Sequence, residues 1–161
     1  SYNMFYNRAE QGRVVDYVII MAYDEHFAGG EMGSVSSIDF VKNGIADTLK
    51  EVPKEKVVNA IPFYTRVWTE GDGGTSSSAL GIEAAQKWVE ENKVELIWQE
   101  ELGQYYGELF TDEGGKYIWM EEANSIQLKM NLIEEYGLAG VACWKAGFEP
   151  KELWDVVNLN E

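Results

Sequence analysis

The 161-residue chain is poor in three things: cysteine, basic side chains and long apolar runs. Its single cysteine, Cys143, excludes an internal disulfide and any cysteine-based metal cluster. It sits in the apolar run Val141-Ala142-Cys143-Trp144, the setting of a buried, inert thiol rather than of a nucleophile. Only 13 basic residues stand against 28 acidic ones, a formal net charge of −15, so a polyphosphate partner is repelled and nucleic acid is excluded as a ligand class. No apolar run approaches the ~18 residues that a membrane span needs, and the opening SYNMFYNRAE has neither the basic start nor the apolar core of a signal peptide. Internal repeats and low-complexity tracts are also missing.

What is present is enough for one domain. Apolar residues make up 45% and charged residues 25%, which argues against disorder. Six Trp and nine Tyr give flat faces that suit sugar rings or fill a core. The stretch Val14–Phe27, VVDYVIIMAYDEHF, organises the reading. Its run from Val14 to Met21 has the apolar, β-branched character of a parallel strand covered on both faces, and it stops at Tyr23, Asp24, Glu25 and His26. In α/β folds, ligands sit beyond the carboxyl ends of such strands. Residues Ser1–Gly12 read as a helical or irregular lead-in.

After a glycine-containing loop over Phe27–Val35, Ser36 or Ser37 is placed to cap a helix running to Val52, with Ile38, Val41, Ile45, Leu49 and Val52 on one stripe and Pro53 ending it. Lys56–Tyr64, KVVNAIPFY, is a second strand, followed by Thr65, Arg66 and Trp68. Glu70–Gly81, EGDGGTSSSALG, reads as a long Gly/Ser/Thr loop, and Gly81–Asn92 as a helix. Val94–Trp98, Tyr105–Thr111 and Lys116–Met120 read as antiparallel strands, with a turn at Asp112–Gly115. Residues from about 70 to 120 therefore form a small α+β insertion in a parallel framework. The framework resumes with a helix capped by Asn124 or Ser125, an αL Gly137 at its end, a third parallel strand over Leu138–Trp144, and a last helix from Pro150 with Leu153, Trp154 and Val157 facing inward.

The strand ends Met21-Ala22-Tyr23-Asp24, Ile61-Pro62-Phe63-Tyr64-Thr65-Arg66 and Val141-Ala142-Cys143-Trp144 resemble, in that order, strands six, seven and eight of the chitinase-like (β/α)8 barrels of glycoside hydrolase family 18. The segments Ile97-Trp98-Gln99-Glu100 and Trp119-Met120-Glu121-Glu122, leading into Ser125-Ile126-Gln127, resemble the bacterial cell-wall and spore-associated N-acetylglucosaminidase branch. The resemblance implies an α/β fold, the C-terminal part of a TIM barrel with three parallel β/α units and an insertion. It implies hydrolysis of β-linked N-acetylglucosamine glycans, peptidoglycan or chitin-like, without a cofactor or metal. The sugar's own acetamido oxygen attacks the anomeric carbon in this chemistry.

By the same resemblance Tyr23 and Asp24 hold the acetamido group, Trp144 stacks under the ring at the scissile bond, and Met21, Tyr64 and Arg66 bind around it. It also implies an extracellular setting at the cell wall or spore. Each residue has a plainer reading: Asp24 as a loop cap, Arg66 in a surface ion pair, Trp144 as a core plug. The family's acid lies in an Asp-x-x-Asp-x-Asp-x-Glu motif that occurs nowhere in these 161 residues, and a full barrel takes ~250 residues. The expectation is a C-terminal portion that is inactive alone and self-associates through its open barrel face, a glycan-binding module being the alternative.

Overall fold

The computed structural model describes residues 7–112 and 114–157. Residues 1–6 of the expected lead-in lie outside the described residues. Helix α1 spans Arg8–Val14, capped by Asn7, so Val14 ends a helix rather than beginning the strand. Strand β1 is Val18–Met21. It pairs in parallel with β2, Val57–Pro62, which pairs in parallel with β8, Gly140–Trp144. The spatial order is β1-β2-β8, with all three carboxyl ends on one side.

Helices cover one face of this sheet. Ile20 packs with Ile38, Val41 and Ile45 of α2 (Ile38–Leu49). Ile61, Val141 and Cys143 pack with Ile126 and Met130 of α4 (Ala123–Tyr136) and with Leu153 and Val157 near the end of the described chain. The other face of β1 is open, with Ile19 58% and Met21 70% exposed. The expected two-sided burial of β1 is therefore corrected. Among the described residues its continuous apolar sequence meets a helix layer on one side only, and its burial alternates along the strand.

Local chemistry explains the helix ends. Ser37 caps α2 by accepting from the Phe40 amide, and the helix stops at Leu49, three residues before the expected end. Glu122, not Asn124 or Ser125, is the N-cap of α4. Its carboxylate accepts from the Ser125 amide, and the Ser125 hydroxyl accepts from the Glu122 amide, a reciprocal box with the usual residue types exchanged. Gly137 closes α4 at φ 61°, the left-handed turn that glycine takes without a Cβ penalty. The last helix is a 3-10 turn over Lys151–Leu153 running into α5, Trp154–Val157. Leu153 and Val157 are buried, but Trp154 stays 46% exposed, resting edge-on against Phe63.

The second sheet is antiparallel, in the order β4-β3-β7-β6-β5. Its strands are β3 (Tyr64–Gly71), β4 (Gly74–Gly81), β5 (Leu96–Gln99), β6 (Gln104–Thr111) and β7 (Gly114–Met120). The expected loop over Glu70–Gly81 is instead the second half of a β3–β4 hairpin in register from Tyr64↔Gly81 to Gly71↔Gly74. Helix α3 (Ile82–Asn92) lays Ala85, Trp88 and Val89 on one face of the sheet, against Val67, Ile118 and Met120. Only Phe63 separates β2 from β3, so Tyr64 and Arg66 enter the antiparallel sheet directly from the end of a parallel strand.

Candidate active site

The site lies where the carboxyl ends of the parallel strands meet the start of β3. Pro62 of β2 is in register with Trp144 of β8, and the Phe63 amide donates to the Trp144 carbonyl at 2.6 Å. That pairing holds Trp144 next to the point where the chain turns into Tyr64. Asp24, Tyr64, Arg66, Ala79, Trp144 and Phe148 together line a cleft of about 230 Å³. Four of the six residues expected at a site are thus brought together there. Tyr23 stands beside the cleft, its ring edge-on to Tyr64 at 6.1 Å between centroids. Met21 is set apart from this lining, on the open face of β1.

Asp24 and Tyr64 form the tightest polar contact in the cleft. The Tyr64 hydroxyl donates to Asp24 Oδ1 at 2.5 Å. Burial pushes the Tyr64 hydroxyl far above the usual phenol range, and its hydrogen bond to the Asp24 carboxylate and that carboxylate's charge push it further. Tyr23 is raised as well, first by burial and then by the Asp24 charge. Both hydroxyls therefore stay protonated and able to donate. On the far side, Arg66 Nη1 donates to Ser77 Oγ at 3.0 Å. Burial, helped by the charge of Glu149, pushes the Cys143 thiol up to about 11, which fits an inert side chain behind Trp144.

The loop that carries Asp24 is braced from several sides. Asp24 itself sits at φ 59°, in the left-handed region that Asp tolerates better than most residues. Glu25 accepts from the Ser37 amide at 2.7 Å and from the Ser37 hydroxyl at 3.0 Å, which ties the loop to the start of α2. Ser36 Oγ donates to the Ala22 carbonyl at 2.7 Å, and Trp68 Nε1 donates to the Gly33 carbonyl at 2.9 Å. A Cβ at Gly33 would lie 2.6 Å from the His26 ring, so the loop needs glycine there to fold back on itself.

Behind the loop lies a buried polar relay. Lys129 Nζ, on α4, lies 2.9 Å from both carboxylate oxygens of Glu121, and both side chains are shut off from solvent. Gln104 Nε2 donates to Glu121 Oε1 at 2.6 Å, and Ser125 Oγ to Glu121 Oε2 at 2.7 Å. The Ser34 hydroxyl in turn donates to Gln104 Oε1. Helix α4, the antiparallel sheet and the Asp24 loop are thus joined through one carboxylate.

Sequence reasoning missed Ala79, Phe148 and this relay. Ala79 lay in a stretch whose composition reads as loop, and Phe148 lay past the last strand motif. The only trace of the relay is Glu121 directly after the apolar end of β7 and Lys129 eight residues on, on the inward side of α4. Among the described residues no group of three or more His, Cys, Asp or Glu side chains could hold a metal ion, and no helix is long and apolar enough to cross a membrane.

A parallel sheet with an acid, tyrosines, an arginine and an exposed tryptophan gathered beyond its carboxyl ends defines an α/β protein with a ligand cleft at the strand ends. The chain belongs to the glycosyl hydrolases family 18, whose sequence profile matches residues 1–149. It is 31% identical over 146 residues to the cortical fragment-lytic enzyme of Bacillus subtilis, covering 89% of this chain and 34% of that enzyme. Its fold is similar to the chitinase of Chromobacterium violaceum, with a TM-score of 0.88 and 25% identity, covering 94% of this chain and 47% of that one. It is also similar to the spore cortex-lytic enzyme SleL of Bacillus cereus, with a TM-score of 0.85 and 27% identity over 94% of this chain and 36% of that one. The chain spans between a third and a half of the length of these relatives.

Proposed function

We propose that the chain is the C-terminal part of a (β/α)8 glycosidase barrel that cleaves β-linked N-acetylglucosamine glycans by substrate-assisted, retaining hydrolysis. The observation that carries this reading is the convergence of Asp24, Tyr64, Arg66 and Trp144 on one cleft at the carboxyl ends of parallel strands. The amino sugar lies on the exposed face of Trp144. Tyr23 donates to the acetamido carbonyl as that oxygen attacks the anomeric carbon and the group closes into a charged ring. Asp24, oriented by the Tyr64 hydroxyl, takes the amide N–H and stabilises the developing positive charge. The proton for the leaving oxygen comes from a glutamate of the family's acidic motif, which this sequence lacks. The segment alone therefore binds glycan but does not turn it over. Similarity to cortex-lytic relatives supports peptidoglycan as the glycan and the spore or cell wall as the place of action.

Acetamido recognition separates this reading from a general sugar-binding surface. Titration with an N-acetylglucosamine oligomer is expected to change tryptophan fluorescence, while a glucose oligomer of the same length leaves it unchanged. Equal responses to both would overturn the assignment of Tyr23 and Asp24. The open face of β1 gives a second expectation. With Ile19 and Met21 exposed, the chain alone self-associates, and its sedimentation coefficient rises with concentration. A concentration-independent monomer would show that this face is stable in water.

A further inference from the structure

We propose that the chain carries a second binding site, on the α3 side of the antiparallel sheet, that takes a lysine-type alkylammonium side chain presented by a peptide. It is separate from the cleft at the strand ends and does not rest on the glycan reading of that cleft.

The site is a cavity of about 290 Å³ between α3 and strands β5 to β7. That is the small end of ligand pockets, room for one side chain rather than for a cofactor. Val89, Leu96, Met120 and the Tyr105 ring form its apolar floor. Gln86, Val89 and Glu90 are three and four residues apart, so they share one flank of α3. Lys93 ends α3 in the left-handed conformation, and the Val94 amide donates back to the Val89 carbonyl at 3.0 Å. That turn sends β5 back along the same flank. The cavity faces away from the cleft. Val67 packs with Met120 under α3, whereas Arg66, its neighbour in β3, lines the cleft on the opposite face.

The rim is acidic and has no counter-charge. Glu90 and Glu122 stand there with Gln86, and no cationic side chain lines the cavity. Among the described residues Glu90 forms neither an ion pair nor a side-chain hydrogen bond. Glu122 Oε1 accepts from the Ser125 amide, which leaves Oε2 for a further donor. Glu90 also lies in the last turn of α3, the negative end of the helix dipole, and no basic residue offsets it in that turn. Two lysines follow nearby in sequence without filling the gap. Lys87 lines a neighbouring depression and pairs with Glu91 at 3.7 Å, and Lys93 forms no ion pair among the described residues.

An apolar floor under two carboxylates complements an unbranched alkyl chain that ends in an ammonium. The methylenes cover the floor while the charged head stays at the rim. Its N–H groups reach the free carboxylate oxygens, and the Tyr105 ring adds a face that favours a cation. Glu90 and Glu122 come from different elements. The rotatable donors of an ammonium meet such separated acceptors, whereas the planar fork of arginine suits a single paired carboxylate. Gln86 and Glu90 are exposed at the mouth, so the backbone carrying the side chain stays outside on the surface. The net charge of −15 draws a basic peptide and repels an acidic one.

NMR titration of the isotope-labelled chain tests the proposal. The probes are blocked lysine, norleucine and arginine, each an N-acetyl methylamide. Norleucine keeps the alkyl chain and removes the ammonium. The lysine probe is expected to shift the amides of Val89, Glu90, Leu96 and Tyr105. At low salt it binds about tenfold more tightly than the norleucine probe, the scale of one charge-assisted hydrogen bond. The advantage shrinks as salt rises. Glu90→Lys abolishes it, and Glu90→Gln keeps the part that Glu122 supplies. Glu90 is an exposed helix position, so both variants keep the fold. Equal affinity for the lysine and norleucine probes overturns the site, as do shifts centred elsewhere or an unchanged preference in Glu90→Lys. An arginine probe that binds as tightly as lysine overturns the assignment to an alkylammonium. The comparison of probes on the native chain decides the matter without any variant, and none of these outcomes bears on the glycan cleft.

Discussion

Lys129→Met lowers the stability of the fold by about 3–5 kcal/mol, the usual cost of stripping one partner from a buried ion pair. The reason lies in what remains. Glu121 would keep its carboxylate fully buried, with only the Gln104 amide and the Ser125 hydroxyl as donors. Burial lifts its carboxyl above the ordinary range, and the Lys129 charge is the main force pulling it back. Domains of this size are stable by only about 5–15 kcal/mol, so the loss is a large share of the total. Urea denaturation followed by circular dichroism is expected to show a lower midpoint with an unchanged slope. A shift below about 1 kcal/mol would mean that the carboxylate finds water or another donor. Methionine is chosen because it keeps most of the volume of the lysine stem, so a cavity contributes little. Replacing Glu121 with Leu in addition removes the stranded charge and recovers part of the loss. The recovery is incomplete because Gln104 and Ser125 then lose their acceptor. The relay also reaches Ser34, so loosening it frees the loop that holds Asp24.

How far this architecture could be read from the amino acids varied with the kind of signal. Parallel strands β2 and β8 and helices α2, α3 and α4 follow from apolar periodicity and caps, because those patterns are local. The αL glycine at Gly137 was legible for the same reason. Strand β4 was not. Its Gly-Thr-Ser-Ser-Ser sequence has the composition of a loop, yet pairing with β3 supplies the backbone hydrogen bonds that its side chains do not encode. Placing Arg66 within the antiparallel sheet needed the same long-range information. The cap of α4 was missed because a glutamate took the role expected of Asn124 or Ser125. The one-sided covering of β1 was not legible in its apolar run, which states what a strand tolerates and not which layers it meets; an open face was expected only from the family resemblance. Tyr23, Asp24, Tyr64, Arg66 and Trp144 were named from short motifs at strand ends. That four of them line one cleft required the register of β1, β2 and β8, which no single motif carries.

Trp144→Ala is expected to weaken binding of an N-acetylglucosamine oligomer at least tenfold while moving the unfolding midpoint little. The two readings of Trp144 predict opposite pairs of results. A tryptophan plugging a core costs about 3–5 kcal/mol when cut to alanine. A tryptophan forming the floor of a sugar site costs little in the free protein and much in the complex, because its apolar face is covered only when the ring arrives. Trp144 is 55% exposed, against 1% for Trp68, which is packed in the interior. Its partners in the cleft are Asp24, Tyr64, Arg66 and Phe148, and it stands at the end of β8, on the side of the sheet away from the helices. Trp68→Ala serves as the contrast: it destabilises the fold by several kcal/mol and removes the hydrogen bond to the Gly33 carbonyl. Urea unfolding and calorimetric titration on the same two variants separate the cases. If Trp144→Ala unfolds as readily as Trp68→Ala, the side chain is structural and the floor of the site lies elsewhere. If it keeps its stability and loses the glycan, the exposed ring at the end of β8 is the surface on which the sugar rests.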